Sequence, residues 1–228
     1  MKAKYLLISL LLSAGLLIGC NGGNNNSSGN EELQYTQEEA TAKTKQLAQE
    51  QGFEAKIHLE STDTGDEDGV NEDIQFGYTS EVFWMHGVGA YKKVEGGVEV
   101  YPYNEETHQY EGGYLAAGVD YDNTFASASV YLFTAYQYEE MGFTFNSKKS
   151  TTFLGRAATE YNAAYAGAEG AASITLVVDN ETGMTLKVAA AGFDASGEGG
   201  SASFEVTMLR IGNDVQIPDL IKNQLGLA

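Results

Sequence analysis

Thirty-two carboxylates, three histidines and a single cysteine carry most of the chemistry this 228-residue chain has to offer. His58, His86 and His108 stand far apart; none belongs to a His-Glu-x-x-His pair or is otherwise spaced for zinc. There is no Gly-x-Ser-x-Gly elbow and no cysteine nucleophile set for acyl transfer. Carboxylate pairs such as Glu105-Glu106 and Glu139-Glu140 are adjacent in sequence, so on a strand they point to opposite faces. Glycoside hydrolysis needs two that face each other across a cleft. The stretch from Glu60 to Asp73 holds seven carboxylates and no basic residue, and its Asp66-x-Asp68-Gly69 invites a calcium reading. Aligning Gly69 with the loop glycine of an EF-hand puts Thr64 at the first ligand position and Gln75 at the last, so both ends fail. A solvated hairpin tip fits better. The expectation is no catalytic residue, no metal and no cofactor: the chain is not an enzyme.

Cys20 remains, and its surroundings give it a different use. Lys2 and Lys4 precede apolar residues from Tyr5 to Leu12 and from Ala14 to Ile18, broken by Ser9 and Ser13. This is a charged segment followed by an apolar run too short for the roughly 20 residues that span hydrocarbon. Leu17-Ile18-Gly19-Cys20 resembles a bacterial lipoprotein lipobox. The resemblance implies cleavage after Gly19, acylation of the Cys20 thiol, and a membrane anchor on the extracytoplasmic side of the cell envelope. Two acyl chains give stable anchoring where one is marginal. From Asn21 to Asn30 the chain holds only Asn, Gly and Ser, a spacer with a root-mean-square reach of about 16 to 19 Å. The expected organisation is a signal peptide over 1–19, a lipidated N-terminus and linker over 20–32, and one folded domain over 33–228.

Charge and composition narrow the partners. Without Lys2 and Lys4, 11 basic residues face 32 acidic ones, a formal charge of −21. Nucleic acid is excluded as a partner because phosphate contacts need clustered Lys and Arg, and anionic headgroups are repelled. With one cysteine there is no intramolecular disulfide, so stability must come from a core, which about 200 residues can build. Twenty-seven glycines, two prolines and fourteen tyrosines suit many short strands and turns.

These elements can be placed from pattern. Thr36-Gln37-Glu38-Glu39 fits a capping box and Gly52 a left-handed stop, with Ala40, Thr44, Leu47 and Ala48 on one face, which predicts a helix over 37–51. The period then switches to two: Phe53, Ala55, Ile57 and Leu59 alternate with polar residues, as in a half-buried strand. A meander is expected from Asp73 to Phe145, with strands over 74–80, 82–87, 89–94 and 98–103 and a tight turn at Gly96-Gly97. Within it, Phe125, Ala128, Leu132 and Tyr136 recur at helical spacing after Asp122-Asn123-Thr124, predicting a helix over 124–140. The stretch from Phe83 to Phe145 holds fifteen of the twenty-five aromatic residues, enough to pack a core or to line an apolar pocket. Trp84, Phe125, Leu132 and Tyr136 are the candidate ligand contacts. Further on, Ile174, Leu176 and Val178 face one way, as do Met184, Leu186 and Val188 on the return. Asp179 is placed to accept from turn amides, and Gly183 to take the positive φ of a bulged turn. A last strand through Phe204, Val206 and Met208 is expected to end at Ile217-Pro218-Asp219.

Three stretches resemble the half-barrel superfamily of lipoprotein carriers and receptors, LolA and LolB, and of mycobacterial lipid-binding lipoproteins. They are Leu154-Gly155-Arg156 through Tyr161, Val178-Asp179-Asn180-Glu181-Thr182-Gly183-Met184-Thr185-Leu186-Lys187, and Val215-Gln216-Ile217-Pro218. The resemblance implies an α+β fold in which a curved antiparallel sheet, an open half β-barrel, wraps over one or two helices and holds a lipid or other apolar ligand. Arg156 and Arg210, the only arginines, are not assigned the ligand contacts of the carriers. The alternative is an envelope interaction lipoprotein with a filled core, binding another protein through an edge or an aromatic patch.

Overall fold

The computed structural model describes residues 35–62, 70–125, 138, 143–167, 170–193 and 201–227. The leader, Cys20, the linker, Asp66 to Gly69, Leu132 and Tyr136 lie outside them. Helix α1 (Gln37–Gln51) begins where the capping box places it: Glu39 N donates to Thr36 Oγ1, and the Glu39 carboxylate accepts from Thr36 N at 3.0 Å. Gly52 ends it with φ 74°, and Ala40, Thr44, Leu47 and Ala48 are the buried face.

Two meanders follow. The first runs through β1 (Phe53–Thr62), β2 (Val70–Tyr78), β3 (Val82–Met85), β4 (Gly89–Val94), β5 (Gly97–Asn104), β6 (Gln109–Tyr110) and β7 (Tyr114–Ala117). The second runs through β8 (Thr144–Phe153), β9 (Arg156–Gly167), β10 (Gly170–Asp179), β11 (Thr185–Phe193) and β12 (Ser201–Ile211). Antiparallel pairing of β1 with β12 joins them into one open sheet in the order β6-β5-β4-β3-β2-β1-β12-β11-β10-β9-β8, with β7 also on β5. One hydrophobic core collects side chains from a single face all the way from Tyr91 and Val98 to Phe145, together with Leu47 and Ala48 of α1. A sheet that serves one core from both its flanks must curl around it. This is the expected α+β open half-barrel.

Several boundaries differ from expectation for local reasons. Glu95 and Gly96 alone make the β4–β5 turn, with Gly96 at φ 80° and Gly97 already paired to Val94. Leu154 and Gly155, in the first of the resembling stretches, form the β8–β9 hairpin loop, both at positive φ. The helical turn expected from 124 starts at 121, because Asp120 Oδ1 accepts from Asn123 N at 3.0 Å and so caps it three residues earlier. Residues 121–125 are helical, and most of the predicted helix beyond them lies outside the described residues. The last strand stops at Ile211, where Gly212 turns at φ 78° and donates to Gly52 O. Pro218 then caps a helix the sequence pattern did not predict, α2 (Asp219–Leu225), closed by left-handed Gly226.

Helix α2 covers the outer, convex face. Ile221 and Leu225 pack with Val82, Trp84, Ala90 and Tyr110 in a second, smaller core. Lys92 Nζ donates to Leu225 O, and Gln224 accepts from Tyr110 N, both at 2.7 Å. The indole of Trp84 lies so close over Gly77 that a Cβ there would stand 2.2 Å from the ring, so only glycine fits beneath it.

Candidate functional site

Strand alternation decides which side chains the concave face receives. On β3, Phe83 and Met85 join the main core, while Val82 and Trp84 face the α2 side. The structure therefore separates two expected ligand contacts: Phe125 lies inside the half-barrel, and Trp84 on its outside.

The upper half of the concave face, towards the strand ends at Phe53, Tyr78 and Val82, is filled by rings. Phe53, Tyr78, Tyr121, Phe125, Phe83 and Phe76 form a closed circuit, with neighbouring centroids 4.7–6.4 Å apart. Tyr121 donates to Thr79 O at 2.9 Å and Tyr78 to Asp122 Oδ1 at 3.3 Å, so each phenol keeps a partner. Burial pushes both phenols well above the usual tyrosine range, and the Asp122 charge adds to the shift.

The lower half is built differently. Ladder register places Leu59, Phe204, Ala190, Ile174, Ala163 and Phe145 side by side in one row crossing β1, β12, β11, β10, β9 and β8. The row is buried from Ala190 to Phe145 but half-exposed at Leu59 and Phe204. Tyr165, paired with buried Ala172, is also half-exposed and carries the ring of Phe143 at 5.7 Å. The alanines at 163 and 190 and the half-exposed end at Leu59 and Phe204 distinguish this half from the ring-filled one above. An apolar chain laid across the strands would meet only apolar side chains in the row. Sequence reasoning missed it, although the alternation from Phe53 to Leu59 already put Leu59 on the inner face.

Asp179 and Gly183 hold the β10–β11 corner. Asp179 Oδ1 accepts from Glu181 N at 2.7 Å and from Thr182 N at 3.3 Å, while its other oxygen pairs with Arg156. Gly183 turns at φ 75° against Ala40 of α1. Arg156 also reaches Glu181 at 3.0 Å, and Arg210 pairs with buried Glu54, so the arginines serve the ladder and its corner. Among the described residues no group of three or more His, Cys, Asp or Glu is placed to hold a metal ion.

Neither a family model nor a curated protein matches this chain. Solved structures similar to it include a DUF1329 family protein from Desulfovibrio piger, at TM-score 0.32 and 8% identity over 84% of this chain and 98% of that one. A LolA superfamily protein from Nitrosomonas europaea matches at 0.28 and 9%, over 82% and 97% of the two chains. An outer membrane lipoprotein-sorting protein domain from Vibrio parahaemolyticus matches at 0.25 and 10%, over 80% and 95%. These are loose likenesses; the half-barrel is defined by its own strand order and core.

Proposed function

We propose that this chain is a membrane-anchored lipoprotein whose half-barrel binds a lipid or similar apolar ligand along the lower concave row. The carrying observation is the run of inward apolar side chains that passes from half-exposed Leu59 and Phe204 into the buried interior. Half-exposed apolar side chains at the mouth of an apolar row are what a ligand of that kind would cover. The anchor is acylated Cys20, supported by the lipobox and the apolar leader. Among the described residues no helix is long and apolar enough to cross a membrane.

All described elements lie within residues 35–227, so a chain begun at Asn21 keeps every contact among the described residues. Native mass spectrometry of that chain is expected to show a co-purified apolar mass or uptake of added phospholipid or fluorescent fatty acid. A ligand-free protein that ignores all of them would overturn the binding role. Palmitate labelling that persists in Cys20→Ala would overturn the anchor.

One observation favours a second reading, docking of another envelope protein. Tyr114 and Leu115, each 58% exposed, sit on the short strand β7 at one border of the sheet.

A further inference from the structure

The lower row does not end at Leu59. Its partner on β2 is Glu72, two residues before inward-facing Ile74, so register puts this carboxyl on the apolar concave face. Every other charged side chain on β1, β2, β11 and β12 lies on the convex face. Lys56 and His58 pair there with Asp73, Arg210 with Glu54, and Lys187 with Glu205. Glu72, by contrast, is half-exposed as a residue, but its Oε2 is shut off from solvent and has no hydrogen-bond partner among the described residues. An acceptor buried without a donor is costly, and the cost falls away when a bound molecule supplies the donor.

We propose that the concave row takes amphiphiles bearing a primary amine head, with Glu72 receiving the amine at the open end while the alkyl chain lies over Leu59, Phe204 and Ala190. The proposal rests on the apolar-ligand reading above and adds a head-group preference to it. An ammonium donates charge-assisted hydrogen bonds to a carboxyl oxygen, a hydroxyl donates weaker ones, and a carboxylate head has no donor to give. The surplus of acidic residues over the whole chain acts in the same direction by concentrating cations.

The test is competition against a neutral fluorescent probe, N-phenyl-1-naphthylamine, bound to the chain begun at Asn21. Dodecylamine, dodecanol and dodecanoate share one chain length and differ only in the head. Dodecylamine is expected to displace the probe at a concentration about tenfold or more below dodecanoate, with dodecanol between them. Glu72→Gln should collapse that spread, and Glu72→Asp should keep most of it. Asp73→Asn, which removes a carboxylate one residue away on the convex face, should leave it intact and so separates contact from overall charge. Equal displacement by all three heads, or a spread that survives Glu72→Gln, overturns the role of Glu72 while apolar binding stands. Failure of both the probe and the alkyl chains to bind removes both. Thermal melts of each variant show whether a lost preference is merely lost folding.

Discussion

The two halves of the concave face meet on β1 yet are packed on different plans. Above, six rings close on one another, and each is buried. Below, two phenylalanines, two alanines, Leu59 and Ile174 make a row whose near end is half-exposed. Rings close the upper half from within the chain, whereas the lower row leaves Leu59 and Phe204 half-exposed at one end. The upper half should then set stability and the lower half binding. Phe76→Ala tests this most severely: it opens the ring circuit, and a loss of about 3 to 5 kcal/mol in denaturant unfolding is expected, with the lower row left in place. A loss under about 1 kcal/mol would mean that the circuit is not the stabilising half. Phe204→Ala is the counterpart below. Its ring is already partly in water, so a smaller loss of about 1 to 2 kcal/mol is expected, with weakened probe binding as the main effect. Unchanged binding in Phe204→Ala would erase the distinction.

The smallest effect is one of pH. Tyr78 and Tyr121 have phenols raised by burial, so the folded state holds their protons after the unfolded chain has released them. Their contribution to stability is complete below the ordinary tyrosine pKa of about 10 and declines as pH rises beyond it. Phenolate absorbance followed up to strong alkali should therefore show a fraction of tyrosines that ionises only as the protein unfolds. Asp122→Asn should move that fraction to slightly lower pH. Smooth titration of all the phenols at their ordinary value would contradict the packing of the upper half.

What sequence made legible was what is decided locally. The capping box and Gly52 fixed α1 at Gln37–Gln51, and Asp179 and Gly183 mark a corner whose turn amides are met by Asp179 Oδ1 within three residues. What depends on the whole sheet was harder to see. Phe83 and Trp84 are neighbours in the chain and opposites in space; composition groups such residues, and only register separates them. Glu72 was hidden inside an acidic run, although counting back by two from Phe76 and Ile74 would have set it on the apolar side. Helix α2 escaped because Ile217-Pro218-Asp219 reads equally well as the end of a strand or the start of a helix. The left-handed Gly226 was the available clue. The ligand contacts expected at Leu132 and Tyr136 lie outside the described residues.

The seam between β1 and β12 has a consequence for how the molecule is made. A ribosome delivers β12 long after β1, so until then this strand carries an unsatisfied row of amides and carbonyls on one side. Pairing over such a separation is slow, and an open strand in the middle of a nascent sheet invites the wrong neighbour. A chain halted anywhere before Ser201 would lack the strand that locks its two halves together.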